Sequence, residues 1–160
     1  MNQKKLKIRP VEEYESELIS NLALRAKAYW GYSAEFINVC RRELTYSSDD
    51  IKQNYFFGAE INNSIVGFYG LQILSSTTIE LEALFIEPDD IGQGYGRKLM
   101  EHAQVTASKL GCKLMLIQSD PHARDFYLKL GGKLIGRRES NSVRDHYLPV
   151  LIINLSAVSE

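Results

Sequence analysis

The chain is short of cysteine, has almost no excess charge of either sign and lacks any long hydrophobic run. Each of these shortages closes off a class of function. Cys40 and Cys112 are the two cysteines in 160 residues. They stand neither at metal-ligand spacing nor in a disulfide framework, so they are expected as buried thiols with no metal between them. Lys and Arg number 19 against 20 Asp and Glu, a formal net charge of -1. Affinity for a phosphate backbone needs a basic excess, so no nucleic-acid partner is expected. No apolar run reaches the roughly 20 residues of a membrane span. The basic segment Met1–Pro10 has no apolar stretch after it, unlike a secretory signal. The expectation is a cytoplasmic protein with no membrane partner. Repeats, linkers and low-complexity segments are also missing, and 44% hydrophobic with 24% charged residues suits one core and a single domain over 1–160.

Periodicity predicts a mixed chain. Leu6–Arg9 reads as a short strand closed by Pro10, and Glu13 to about Tyr29 as a helix with Leu18, Leu22 and Arg25 at helical spacing. A second helix is expected over Ala34–Leu44. Tyr55–Glu60, Ser64–Leu74 and Thr77–Ile86 read as consecutive antiparallel strands with turns at Asn62-Asn63 and Ser75-Ser76. A helix to Leu110 follows, presenting Gly96, Leu99, Met100, Ala103, Ala107 and Leu110 on one face and stopped by Gly111. Lys113–Gln118 is a strand, Pro121–Leu130 a helix ended by Gly131-Gly132, and Lys133–Arg138 pairs with Leu148–Leu155.

The most informative stretch runs from Leu81 to Met100: a strand stopped by Pro88, then Gly92-Gln93-Gly94-Tyr95-Gly96, then a helix with Arg97 and Lys98 in its first turn. The first N–H groups of a helix have no intrahelical partners and lie at the positive end of its dipole, where an anion fits. Residues without a Cβ let a bulky diphosphate approach those groups. Cations in a first turn oppose the dipole unless an anion sits beside them, although a tight loop with two solvated bases accounts for the same residues. The pattern is neither G-x-G-x-x-G nor G-x-x-x-x-G-K-[ST], and Leu99 follows Lys98 where a magnesium-binding hydroxyl belongs, so nucleotide hydrolysis fits poorly.

A second cluster is Ser119-Asp120-Pro121-His122-Ala123-Arg124-Asp125-Phe126-Tyr127. Asp120 suits an N-cap and Pro121 the first helical position. Ala123, Phe126, Tyr127 and Leu130 share one face, which turns Tyr127 inward, either as a packed ring or with its hydroxyl in a cleft. On the strand before the glycine turn, Glu80, Glu82, Leu84 and Ile86 alternate onto one side. A carboxylate near a cleft can take a proton, whereas an inter-strand salt bridge is the plainer role.

Together these residues resemble the GNAT superfamily of N-acetyltransferases, whose signature is a strand ending in a V-x-P-like step followed by Q/R-x-x-G-x-G/A opening a helix. Ile86-Glu87-Pro88 and Ile91-Gly92-Gln93-Gly94-Tyr95-Gly96 match it, with Ile91 where the family has Gln or Arg. His122-Ala123-Arg124-Asp125-Phe126-Tyr127-Leu128-Lys129-Leu130-Gly131 is similar to the family's N-A-x-x-F-Y-x-x-x-G, with His122 in place of Asn. The resemblance runs from about Leu6 to Leu155, and its specific motifs lie between Leu81 and Gly132.

The resemblance implies an α/β (α+β) fold, a mixed and mostly antiparallel sheet of six to seven strands flanked by about four helices. It implies acetyl-CoA as cofactor, with the diphosphate on Gly92, Gln93, Gly94, Tyr95, Gly96, Arg97 and Lys98. Pantetheine would lie along Phe85 and Ile86 and touch His122, and the Leu84 N–H would face the thioester oxygen. Tyr127 becomes the general acid toward the departing thiolate. Glu82, nearer the thioester end, is preferred as general base over Glu80, which aligns with the base position of some members. The acceptor is a small-molecule or protein amine. Trp30 and Tyr32 are candidates to line its pocket, though helix packing explains the same aromatics. Arg138, Arg144, His146 and Tyr147, about the last hairpin loop, suit a carboxylate or are simply solvated. A homodimer is common in the family, but pattern alone picks out no apolar face for one. The alternative function is a non-catalytic acyl-CoA-binding regulatory domain.

Overall fold

The computed structural model describes residues 5–157, so Met1–Lys4 of the basic N-terminal segment lie outside it. Seven strands form a mixed sheet: β1 (Lys7–Pro10), β2 (Tyr55–Ile61), β3 (Ser64–Ile73), β4 (Thr78–Ile86), β5 (Leu114–Gln118), β6 (Lys133–Glu139) and β7 (Tyr147–Asn154). Their order is β1-β2-β3-β4-β5-β7-β6. β4 and β5 are parallel, whereas β1–β2, β5–β7 and β6–β7 are antiparallel. The helices are α1 (Ser16–Ala28), α2 (Ala34–Cys40), α3 (Ser48–Gln53), α4 (Tyr95–Lys109) and α5 (Arg124–Lys129), one more than expected. None of the helices among the described residues is long and apolar enough to cross a membrane. The chain gathers into two compact units, one reaching to Gly70 and including Ala83–His102, the other comprising Leu71–Glu82 and the chain from Ala103 onward.

In the first unit β3 is buried continuously from Ile65 to Gly70, because both faces of the sheet are covered there. Tyr46, Phe56 and Phe68 cluster on one face, with Phe85 5.8 Å from Phe68. On the other face Phe57 stacks on Tyr69 at 5.4 Å, and the Tyr69 hydroxyl lies 2.7 Å from Nδ1 of His102 on α4. The β2–β3 hairpin closes through Asn62 and Asn63, both at positive φ, the conformation of a tight primed turn. Three expectations need correction. α1 buries Ile19, Leu22, Ala23 and Ala26, while Leu18 is 45% exposed, so the apolar stripe sits one residue along from the one expected and excludes Arg25. α2 stops at Cys40, where the Arg41 N–H donates to the Asn38 carbonyl three residues back at 3.3 Å and the last turn tightens. α3, absent from the sequence reading, starts from a reciprocal cap in which Ser47 Oγ accepts from the Asp50 N–H and Asp50 Oδ2 from the Ser47 N–H.

Arg9 of β1 binds Glu60 of β2 and also the carboxylate of Glu15, through Nη1 and Nη2 at 2.8 and 2.9 Å, at the 3-10 turn leading into α1. These hydrogen bonds hold the buried Glu15 carboxyl below the usual glutamate range. A depressed folded pKa contributes stability that is complete above the unfolded value and is lost as pH falls through the folded one. Thermal midpoints measured against pH should therefore drop below the ordinary glutamate range. Arg9→Gln should flatten that drop while lowering the neutral-pH midpoint by several degrees.

In the second unit Thr78–Leu81 pair with Leu114–Ile117 and β7 pairs with both β5 and β6. Ile79, Leu81, Met115, Ile117, Leu151 and Ile153 are buried together with Ala103 and Ala107 of α4. Leu110, expected on that helix face, is 37% exposed, since α4 ends at Lys109 and Gly111 terminates it at φ +87°. β6 is exposed along its whole length as the last strand of the sheet. Cys112 is buried here, which raises its thiol pKa, and Cys40 is buried in the first unit.

Candidate functional site

The first unit carries the glycine turn. β4 ends at Ile86, and the Glu87 N–H donates to the Val66 carbonyl at 2.8 Å. The Glu87 carboxylate is gripped by Arg25 from α1, Nε at 2.6 Å and Nη2 at 2.9 Å, a bidentate pair that raises the Arg25 pKa. A 3-10 turn at Pro88–Asp90 follows. Gly92 and Gly94 then adopt φ +89° and +84°, and a Cβ added at either would meet nothing within 4 Å. Gly96 is already the second residue of α4, so unusual backbone is needed at two of the three glycines only. Lys98 donates the first helical N–H, to the Gly94 carbonyl at 3.2 Å, which leaves the N–H groups of Tyr95, Gly96 and Arg97 ahead of the intrahelical ladder. Gly92, Gln93 and Gly94 are exposed, and so is Lys98. Arg97, expected as a cation awaiting an anion, pairs with Glu101 one turn on at 3.2 Å, so the dipole argument for it is weaker than its position suggested.

Leu84, Phe85 and Ile86 are all half-buried, where the alternation of Ile79, Leu81 and Ala83 stops. The described parallel ladder ends at Leu81 against Ile117, although β4 itself runs on to Ile86. Trp30 and Tyr32 do not form a common wall. Trp30 is 41% exposed and meets Tyr29 edge-on, whereas Tyr32 stacks on Phe36 at 4.1 Å with the Lys27 ammonium 5.2 Å above it.

The second unit carries the candidate acid and base. Glu80 and Glu82 are half-buried and alternate with buried Ile79 and Leu81, as expected. The cross-strand partner of Glu80 is a neutral amide rather than a cation: Gln118 Nε2 donates to its Oε2 at 3.1 Å. Gln118 was missed, and the strand alternation that places it two residues past Leu116, the register partner of Glu80, is the signal that could have found it. Tyr127 is buried on α5, and desolvation, then the Asp120 carboxylate, raises its phenol pKa above the ordinary tyrosine value. It therefore keeps its proton at neutral pH. Asp120 caps the following turn as expected, accepting from the His122 N–H at 2.8 Å, and its Oδ1 also lies 2.9 Å from His122 Nδ1. The imidazole is thus oriented by its own cap. Arg25 and Glu87 were not foreseen either, because 62 residues separate them and no local pattern links them.

Residues 25–132 match the profile of the Acetyltransferase (GNAT) family. The peptidyl-lysine N-acetyltransferase YjaB of Salmonella typhimurium (strain LT2) is 40% identical over 75 residues, 47% of this chain and 48% of that protein. The YjaB of Escherichia coli (strain K12) is 38% identical over 89 residues, 56% of each chain. The chain thus spans about half the length of the curated relatives it matches. Among solved structures, the PaiA N-acetyltransferase from Thermoplasma acidophilum in complex with coenzyme A superposes with a TM-score of 0.78 at 22% identity, covering 94% of this chain and 99% of that one. The ribosomal-protein-S18-alanine N-acetyltransferase from Escherichia coli gives a TM-score of 0.72 at 18% identity, covering 98% and 97%. At these identities the likeness establishes a shared fold.

Proposed function

The chain belongs to the GNAT acetyltransferase family, and on that premise we propose that it moves an acetyl group from acetyl-CoA to the side-chain amine of a lysine in a peptide, with both compact units serving one domain. The observation that carries the donor half is the pair of positive-φ glycines before α4, where open space stands at each missing Cβ. Main-chain amides so uncovered suit a diphosphate, with Gln93, Tyr95, Gly96, Arg97 and Lys98 completing the cradle.

Acetyl-CoA supplies a thioester carbonyl and a thiol leaving group. Phe85 and Ile86 offer strand backbone to its amide-bearing arm, His122 a further hydrogen bond, and the Leu84 N–H a donor for the carbonyl oxygen. The lysine ammonium gives its proton to a carboxylate, directly or through water. We assign that role to Glu82, nearer the thioester end, with Glu80 held by Gln118 as second choice. As the C–N bond forms and the C–S bond breaks, the nitrogen releases its second proton to solvent, Tyr127 protonates the sulfur and regains a proton from solvent, and the carboxylate gives up the proton it took. A cationic acceptor suits these carboxylates by charge. The peptide lysine is chosen because both curated relatives carry that activity in their names.

The test is thiol release from acetyl-CoA with lysine-containing peptides, alongside the peptide mass. Thiol release matched by acetylated peptide is the expected result. A melting temperature raised by acetyl-CoA with no thiol release from peptides or free amines makes the chain a non-catalytic acyl-CoA binder. No rise at all removes the donor assignment as well.

A further inference from the structure

A groove of about 420 Å³ lies in the second unit, between the start of α5 and the β6–β7 hairpin. Pro121, Leu134, Gly136 and Pro149 give it apolar walls, and Arg124 and Arg137 bring the charge. The hairpin is irregular there: Leu134 pairs with Leu151 and Gly136 with Val150, so Ile135 is an extra residue that re-aims the strand. Gly136 leaves the floor open, with nothing within 4 Å of where its Cβ would stand. Arg137 sits opposite Pro149, which makes Tyr147 its diagonal neighbour on the same face, and the guanidinium carbon lies 4.4 Å above the Tyr147 ring. A guanidinium held over an aromatic ring keeps its N–H donors available for a carboxylate. Among the described residues Arg137 has no carboxylate partner. Arg124 has only its exposed sequence neighbour Asp125, at 3.4 Å. Arg138, read from sequence as suiting a carboxylate or simply solvated, bonds Asn141 at 2.7 Å.

We propose that this groove binds a glutamate side chain of the peptide acceptor, its carboxylate on Arg137 and Arg124 and its methylenes against Pro121, Leu134 and Pro149. The inference rests on the peptide-lysine reading for its occupant. Two features favour an extended acidic peptide as the carrier. The Arg137 guanidinium, with no carboxylate partner among the described residues, matches a carboxylate in charge and shape. β6 next to the groove is the last strand of the sheet and exposes Leu134 and Ile135, 46% and 54%, as an open edge suited to an extended chain. The acceptor would then be selected by an acidic residue near the lysine.

Two fluorescein-labelled lysine peptides, identical but for Glu or Gln beside the lysine, test this by anisotropy titration against the full chain. The wild type should bind the Glu peptide about fivefold more tightly, the range of a partly exposed charge pair. Arg137→Gln should abolish the difference, and Arg137→Lys should restore only part of it. Arg138→Gln, on the same exposed strand, should leave it intact, and a melting curve for each variant checks folding. Equal affinity of the wild type for both peptides, no binding of either, or a preference that survives Arg137→Gln overturns the proposal. Binding preference without acetylation of either peptide retires the lysine-transfer reading and leaves the groove standing.

Discussion

Tyr127→Phe is expected to lower kcat by about a hundredfold to a thousandfold while moving acetyl-CoA affinity and melting temperature little. The reason lies in what burial does to a phenol. Removed from water and placed near the Asp120 carboxylate, Tyr127 pays more to become anionic than an exposed tyrosine does, so its pKa rises. A group that stays protonated is an acid in waiting, and a thiolate leaving group needs one. Phenylalanine keeps the ring, its edge-on contact with Phe126 at 5.1 Å and the backbone carbonyl that accepts from the Gly132 N–H. What it removes is the proton. The pH dependence has a definite sign: the donor form is lost only as pH rises through the elevated pKa, so the wild type should show no loss of kcat from this residue up to about pH 10, the ordinary tyrosine value. Steady-state rates of thiol release across pH, beside calorimetric titration of acetyl-CoA, separate the terms. Equal losses in affinity and turnover would make Tyr127 a packing residue.

Much of this was legible where the constraint is local. Alternation on β4 told Ile79 and Leu81 from Glu80 and Glu82 because a strand has a period of two and one side is buried. The glycine turn was legible because few residues other than glycine tolerate the backbone found at Gly92 and Gly94. The capping pair Ser47 and Asp50 was equally local and could have announced α3. Elsewhere local pattern was insufficient. Leu18 and Ile19 are both apolar and both consistent with a stripe through Leu22, and tertiary contact alone decides that Ile19 is buried. The Arg25–Glu87 pair joins distant segments, and no periodicity encodes that. Trp30 and Tyr32 share a loop in sequence, yet Tyr32 was captured by Phe36 and Lys27, partners whose rotamers the sequence does not specify. Local rules thus reached the backbone of the glycine turn and the burial of Tyr127, and fell short on long-range side-chain pairs such as Arg25 with Glu87.

Gly94→Val is expected to weaken acetyl-CoA binding by at least about tenfold, more than its effect on folding accounts for. Two effects act at this position. A β-branched residue at φ +84° is strained by about 1–3 kcal/mol, which lowers the melting temperature. Its side chain also enters the open space at the start of α4, where we place the diphosphate, and displaces it from the uncovered N–H groups. Gly111 separates these effects. It has the same kind of backbone, φ +87°, and equally open space at its Cβ, but it lies at the opposite end of α4. Gly94→Ala and Gly111→Ala should therefore cost similar stability by melting, whereas calorimetry should show lost affinity in the first alone, deepening from Ala to Val. Should Gly111→Ala weaken binding as much as Gly94→Ala, strain transmitted through the fold would explain both, and the glycine turn would lose its claim to the diphosphate.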